Sequence, residues 1–220
     1  MITSDLIFDD FTNLLCAWVS ADAAGADLAK VAEHAIADKM PLISVAPGAL
    51  GTIWPWLEKE PVKIMARFYY TPPEMDISEL ARTINAAFKN GADGAQIFLS
   101  VKDLDGFVGD IKSIRDDLFF NRYLSVGIDI GEIAACDWER IFMSLREIRA
   151  SSVIFALTRD AGDKSDFVGR IYGMLDAFDK KFTGDVHFVL GKNFERSNQT
   201  LRLIHKMQPG LANGARFFIG

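Results

Sequence analysis

The chain has 220 residues, half of them apolar and a quarter charged, which is the composition of an ordinary globular protein and makes one compact domain over 1–220 the expectation. Twenty-four Lys plus Arg stand against 30 Asp plus Glu, so the net charge of −6 argues against a nucleic-acid partner, which needs concentrated positive charge. Two cysteines, Cys16 and Cys136, make neither a disulfide framework nor a cysteine zinc cluster. The acidic start MITSDLIFDDF is unlike a signal peptide, and no apolar run nears the roughly 20 residues that cross a bilayer, so a cytoplasmic chain without a membrane partner is expected.

Short apolar runs alternate with stretches of helical periodicity, the pattern of βα units. Strands are predicted at Leu14 to Ser20, Leu42 to Ala46, Val62 to Tyr70, Ala95 to Val101, Tyr123 to Ile130, Ser152 to Thr158, Val186 to Leu190 and Ala215 to Ile219. The first helical stripe is Leu28, Val31, Ala32 and Ala35. GALGTIWPWLEKEP then carries Pro55, which predicts a brief or broken helix. The clearest helix holds Ile77, Leu80, Ala81, Ile84 and Phe88 at i, i+3, i+4, i+7 spacing, with Asp76 as N-cap and Gly91 as stop. Later stripes are Phe107, Val108, Ile111, Ile114 and Leu118; Trp138, Ile141, Phe142, Leu145 and Ile148; Phe167, Ile171, Leu175 and Phe178; and Leu201 with Ile204.

Eight evenly spaced units fit a closed (β/α)8 TIM barrel, an α/β fold, better than an open doubly wound sheet. ADAAGAD after the first strand lacks the glycine spacing of a dinucleotide turn, so no cofactor is expected. The sequence stops after strand eight at Gly220, which predicts a barrel lacking a C-terminal eighth helix, with Asp5 to Phe11 closing the bottom.

Alternation sorts the strand faces. Ala95, Ile97, Leu99 and Val101 face helices, which turns Gln96, Phe98, Ser100 and Lys102 inward. Strand five turns Tyr123, Ser125, Gly127 and Asp129 inward, and strand three Lys63, Met65, Arg67 and Tyr69. Strand seven offers His187, Val189 and Gly191; strand six Ile154, Ala156 and Thr158; the first two strands Ser20 and Ser44.

Function in such barrels sits at the C-terminal strand ends. Lys102 or Lys192 is the candidate amine nucleophile and Asp129 the proton shuttle. Arg67 is the anion clamp, and Ser100, Thr158, His187 and Gly191 complete the substrate-binding candidates. Plainer roles stand beside these: Lys102 and Lys192 as solvated loop residues, Arg67 and Asp129 in a structural ion pair with each other or with neighbours, His187 as a hydrogen-bonded core histidine. His34 and His205 read as surface or packing residues on helices. No histidine motif marks a metal, which would need scattered Asp129, Glu132 or Asp160, so none is assigned. Trp54 and Trp56 flank Pro55 as an aromatic patch suited to a subunit contact, making a homo-oligomer the expectation.

Two segments carry a family resemblance. NGADGAQIFLS, Asn90 to Ser100, resembles the helix-to-strand GAD turn of deoxyribose-phosphate aldolase and the wider class I aldolase barrels, and SVGIDI, Ser125 to Ile130, is similar to their strand five. The resemblance implies carbon–carbon bond cleavage or formation through a lysine Schiff base on a small phosphorylated aldehyde or ketone. The family's strand-six lysine has no counterpart in SSVIFALTRD, Lys192 is the only lysine near its strand-seven companion, and Gln96 stands where the family has an acid. In transaldolase-type barrels the lysine is on strand four, where Lys102 is the analogous residue.

The leading expectation is therefore a class I aldolase-like lyase acting on a small carbonyl compound. Its alternatives are a catalytically degenerate barrel serving as a metabolite-binding or oligomeric scaffold, and a metal-assisted lyase or isomerase. An enzyme of the first kind places a lysine amine in the mouth beside an acid, whereas a scaffold fills that mouth with Phe, Tyr and Trp.

Overall fold

The computed structural model describes residues 13–134, 136–156, 164–178, 182–189 and 194–219. Its elements run β1 (Leu15–Trp18), α1 (Gly25–Ala37), β2 (Leu42–Val45), α2 (Leu50–Leu57), β3 (Lys63–Tyr69), α3 (Ile77–Lys89), β4 (Gly94–Phe98), α4 (Leu104–Leu118) and β5 (Tyr123–Asp129). They continue with α5 (Trp138–Glu147), β6 (Ser152–Ala156), α6 (Lys164–Phe178), β7 (Asp185–Val189), α7 (Phe194–Met207), a short α8 (Pro209–Ala212) and β8 (Arg216–Ile219). All eight strands pair in chain order, and β1 also pairs in parallel with β8, so the sheet closes into a barrel. The (β/α)8 fold read from the alternation is the fold observed. Segment Asp5 to Phe11, assigned to the barrel bottom, lies outside the described residues.

Single 3-10 turns follow β2, β4 and β5 at Pro47–Ala49, Val101–Asp103 and Ile130–Glu132. They shorten the predicted fourth strand, whose residues beyond Phe98 leave the sheet. Pro55 sits inside the eight-residue α2, which stays brief as its sequence required. Asp76 caps α3, its side chain accepting from the Glu79 amide at 2.8 Å.

The helix-to-strand turns at the barrel bottom repeat one device. After α1, α3 and α5 the chain passes through a left-handed residue, Lys39, Gly91 and Arg149. The next amide reaches back five residues: Met40 to Ala35 O, Ala92 to Ala87 O and Ala150 to Leu145 O. Each of Met40, Ala92 and Ala150 is buried, giving this helix stop its usual hydrophobic anchor. Gly91 also lies against Trp54, where a Cβ would overlap the indole. Asp93, which completes the GAD turn, accepts the Ile64 amide at 2.9 Å and pins the start of β3. That turn is thus structural and sits at the end of the barrel opposite the mouth.

Outward-facing Ala95, Ile97, Leu124, Val126, Ile128, Val153, Phe155 and Phe188 belong to the large core between sheet and helices. Burial of this apolar surface is the principal stabilising term of the fold. The parity assigned to β4 and β5 holds for Gln96, Phe98, Ser125 and Gly127, whereas Ser100 and Lys102, also assigned inward, lie beyond the end of β4.

Because the strands are tilted and staggered, inward side chains of alternate strands share layers. From the bottom upward, one layer holds Cys16, Met65, Ser125 and His187; the next Ser44, Gln96, Ile154 and Phe218. Above them lie Trp18, Arg67, Gly127 and Val189, then Phe98 and Ala156. Contacts agree with this order: Trp18 meets Phe218 and Phe98 edge-on at 5.8 and 5.6 Å, and His187 meets Phe218 at 5.9 Å.

Lys39 and Gly91 occupy equivalent left-handed positions with different residue types, which predicts opposite effects. Lys39→Gly removes an unfavourable backbone conformation and raises stability by about 1 kcal/mol. Gly91→Ala lowers it by about 1 kcal/mol or more, through the same term and the Trp54 overlap. Urea unfolding of the two variants beside wild type reads both signs.

Candidate functional site

The most polar feature of the barrel interior is a hydrogen-bonded chain beneath the mouth. Arg67, on β3, is only 4 % exposed. One terminal nitrogen donates to Val19 O at 2.7 Å, and the other to Ser44 Oγ at 3.4 Å. The guanidinium lies 3.9 Å from the centre of the Trp18 ring, a cation–π contact. Ser44 Oγ in turn donates to Gln96 Oε1 at 2.6 Å. Four strands, β1 to β4, are thereby tied together inside the barrel.

No carboxylate pairs with Arg67 among the described residues. Burial pushes its pKa down, although it remains a cation at neutral pH. Arg67 and Asp129 do not pair with each other. Asp129 ends β5, where its Oδ1 accepts the Gly131 amide at 2.8 Å and begins the following turn.

Above Arg67 the axis is aromatic. Phe98 fills the space left by Gly127, where a side chain would collide with its ring. Trp18, Ile154, Ala156 and Val189 pack around Phe98. Tyr69 lies over Phe98 with ring centres 5.6 Å apart and is 57 % exposed, so it forms the outer surface.

The remaining candidates are dispersed. Ser100 donates to Glu132 Oε2 at 2.7 Å, and the same oxygen accepts the Val101 amide at 3.4 Å, which joins the loops after β4 and β5. Lys102 follows in the 3-10 turn as an exposed residue and forms no part of the mouth interior. Thr158, Gly191 and Lys192 lie outside the described residues. His187 is buried two layers below Phe98's neighbours Trp18 and Val189, away from the mouth. Burial, aided by the positive charge of Arg216, holds its pKa down at about 3. Cys16, in the same layer, has its thiol pushed up to about 12 by burial and is inert as a nucleophile.

Among the described residues no three His, Cys, Asp or Glu side chains converge on a point that could hold a metal. Asp160, one of the ligands such a site would need, lies outside the described residues. No described helix is long and apolar enough to cross a membrane. A cavity of about 620 Å³ lies along β1 and α1 beside Ile219. Its wall includes Ala17, Val19, Val31 and Met40 of the core outside the sheet, together with Trp18 and Ser20 at the mouth end of β1.

Sequence reasoning placed Arg67, Gln96 and Phe98 inside but missed Trp18, although alternation from Ser20 puts Trp18 on the inward face. It also gave Glu132 only a metal role, because a loop carboxylate shows no periodicity that would reveal its Ser100 partner.

No family model matches the sequence, and neither does any curated protein. Solved structures do match in fold. The deoxyribose phosphate aldolase of Aeropyrum pernix, described as having a unique tetrameric structure, superposes with a TM-score of 0.76 at 10% identity, over 99% of this chain and 94% of that one. A provisionally assigned deoxyribose-phosphate aldolase of Toxoplasma gondii ME49, in its apo form, gives 0.76 at 15% identity, over 100% and 93%. The aldolase QR15 gives 0.74 at 11%, over 96% and 91%. These likenesses show the fold, a closed (β/α)8 barrel shared with those aldolases, and agree with the resemblance seen in the sequence.

The buried neutral state of His187 gives stability a pH dependence. The unfolded chain takes up a proton near pH 6.5, whereas the folded chain resists until about pH 3. Stability from this residue is therefore intact above 6.5 and falls with pH across that interval. Wild type should lose about 2.5 kcal/mol more than His187→Gln between pH 7 and 4.5, measured by denaturant unfolding at each pH.

Proposed function

We propose that the barrel binds a small anionic carbonyl metabolite at its C-terminal mouth, with Arg67 receiving the anion. The observation that carries this reading is a guanidinium almost wholly removed from water with no described carboxylate beside it. A buried charge lacking an opposite charge is costly, and an arriving carboxylate or phosphate would offset that cost. Arg67 uses only part of its donor set on Val19 and Ser44, so donor capacity remains. Aromatic packing of Trp18, Phe98 and Tyr69 along the axis favours binding over lysine chemistry at the barrel centre. In this reading Tyr69, exposed over Phe98, must shift to admit the ligand.

A second reading, the Schiff-base lyase, draws support from the aldolase fold of the structural neighbours. Lys102 or Lys192 would attack the substrate carbonyl, and loss of water would give a protonated imine. That iminium would accept the electron pair of the breaking carbon–carbon bond, while Asp129 takes the proton from the departing hydroxyl. Ser100, Thr158 and Gly191 would line the substrate. His187 would contribute only through the core. Self-association also belongs to this proposal, through Trp54 and Trp56, which remain partly exposed on α2.

Calorimetric titration with pyruvate and, separately, uncharged acetone tests the binding reading. Pyruvate alone should bind, and Arg67→Met should weaken it by about 10- to 100-fold through loss of one charge-assisted contact. Equal affinity of wild type and variant would remove Arg67 from the site.

Borohydride trapping with pyruvate, acetaldehyde, dihydroxyacetone phosphate and glyceraldehyde 3-phosphate, followed by mass mapping, decides the lyase reading. An adduct confined to Lys102 or Lys192 is its expected result, and adducts scattered over surface lysines would refute it.

A further inference from the structure

We propose that the barrel interior holds a buried water molecule between Gln96 and His187, accepting from the side-chain amide of the first and donating to Nδ1 of the second. Gln96 Nε2 and His187 Nδ1 are the two buried side-chain atoms without a hydrogen-bond partner among the described residues. They occupy adjacent layers, on β4 and β7, and both side chains point inward from the wall.

The neighbours that could serve them are committed elsewhere. Gln96 uses Oε1 on Ser44, leaving Nε2 as a donor in need of an acceptor. Ser125 and Ser152 pair with each other at 2.6 Å. Arg216, in register with His187, donates to the carbonyls of Asn213 and Ala215. The Cys16 thiol is directed at Leu14 O at 4.0 Å, the remaining layer-mates Met65, Ile154 and Phe218 are apolar, and the Phe218 ring meets the imidazole edge-on.

The two orphans are complementary. A neutral imidazole has one donor nitrogen and one acceptor nitrogen, so Nδ1 accepts when Nε2 carries the proton. Water is the smallest molecule able to accept from an amide and donate to that nitrogen, and buried waters occupy such polar interior positions. Space for it follows from composition. Barrel interiors of this type are usually filled by Val, Ile and Leu. Here Cys16, Ser44, Ser125 and Ser152 take four inward positions, and each is smaller than those residues.

A crystal structure of the wild-type protein, at a resolution that orders single waters, is the direct test. The expected result is a density peak within hydrogen-bond distance of both atoms. A direct Gln96–His187 contact, or a dry gap between them, would overturn the proposal. Nitrogen-15 NMR of the wild-type imidazole gives a second readout: Nδ1 should be unprotonated and hydrogen-bonded, and a protonated Nδ1 would contradict it. Gln96→Leu should abolish the peak and shift the Nδ1 resonance, whereas an unchanged resonance would count against the bridge.

Discussion

Closing eight parallel strands on themselves forces inward side chains from alternate strands to share a narrow stack of layers, so each residue in that stack constrains those above and below it. In this barrel the stack is divided. The lower layers mix small residues such as Cys16 and Ser125 with Met65 and His187, the Arg67–Ser44–Gln96 chain crosses the middle, and Phe98 closes the top with Trp18 and Tyr69. Arg67 is the pivot of the arrangement. It bridges three strands through Val19, Ser44 and its own backbone, and its charge is set beneath an aromatic cover.

Much of this architecture was legible in the amino-acid sequence because the physics behind it is local. Period-two alternation in AQIF and LSVGID placed Gln96, Phe98, Ser125 and Gly127 inward, and the 3.6-residue stripe of Ile77 to Phe88 located α3 with its Asp76 cap. Strand ends were less legible. Leu99 and Val101 continue the apolar alternation and are buried in the core, yet after the Leu99 amide bonds Gly127 O the chain turns into a 3-10 helix at Val101. The GAD turn drew attention as a family likeness, and its residues prove to stop a helix and pin a strand.

The site was harder to read because it depends on contacts across the barrel. Nothing in the sequence around Trp18 shows that it packs against a guanidinium 49 residues further on, and nothing around Ser100 reveals the Glu132 carboxylate. Lys102 shows the limit of parity: alternation points it inward, but the strand has already ended and the side chain reaches solvent. A (β/α)8 fold and a particular reaction are therefore separate conclusions, the first carried by backbone geometry and the second by individual side chains.

The central claim concerns the buried charge of Arg67, and a crystal structure of the protein soaked with pyruvate addresses it most directly. The account predicts carboxylate density against the free edge of the Arg67 guanidinium, with Tyr69 displaced from Phe98. Carboxylate bound elsewhere, with Arg67 still held by Val19, Ser44 and Trp18 beneath an undisturbed Tyr69, would make Arg67 a purely structural residue and contradict it.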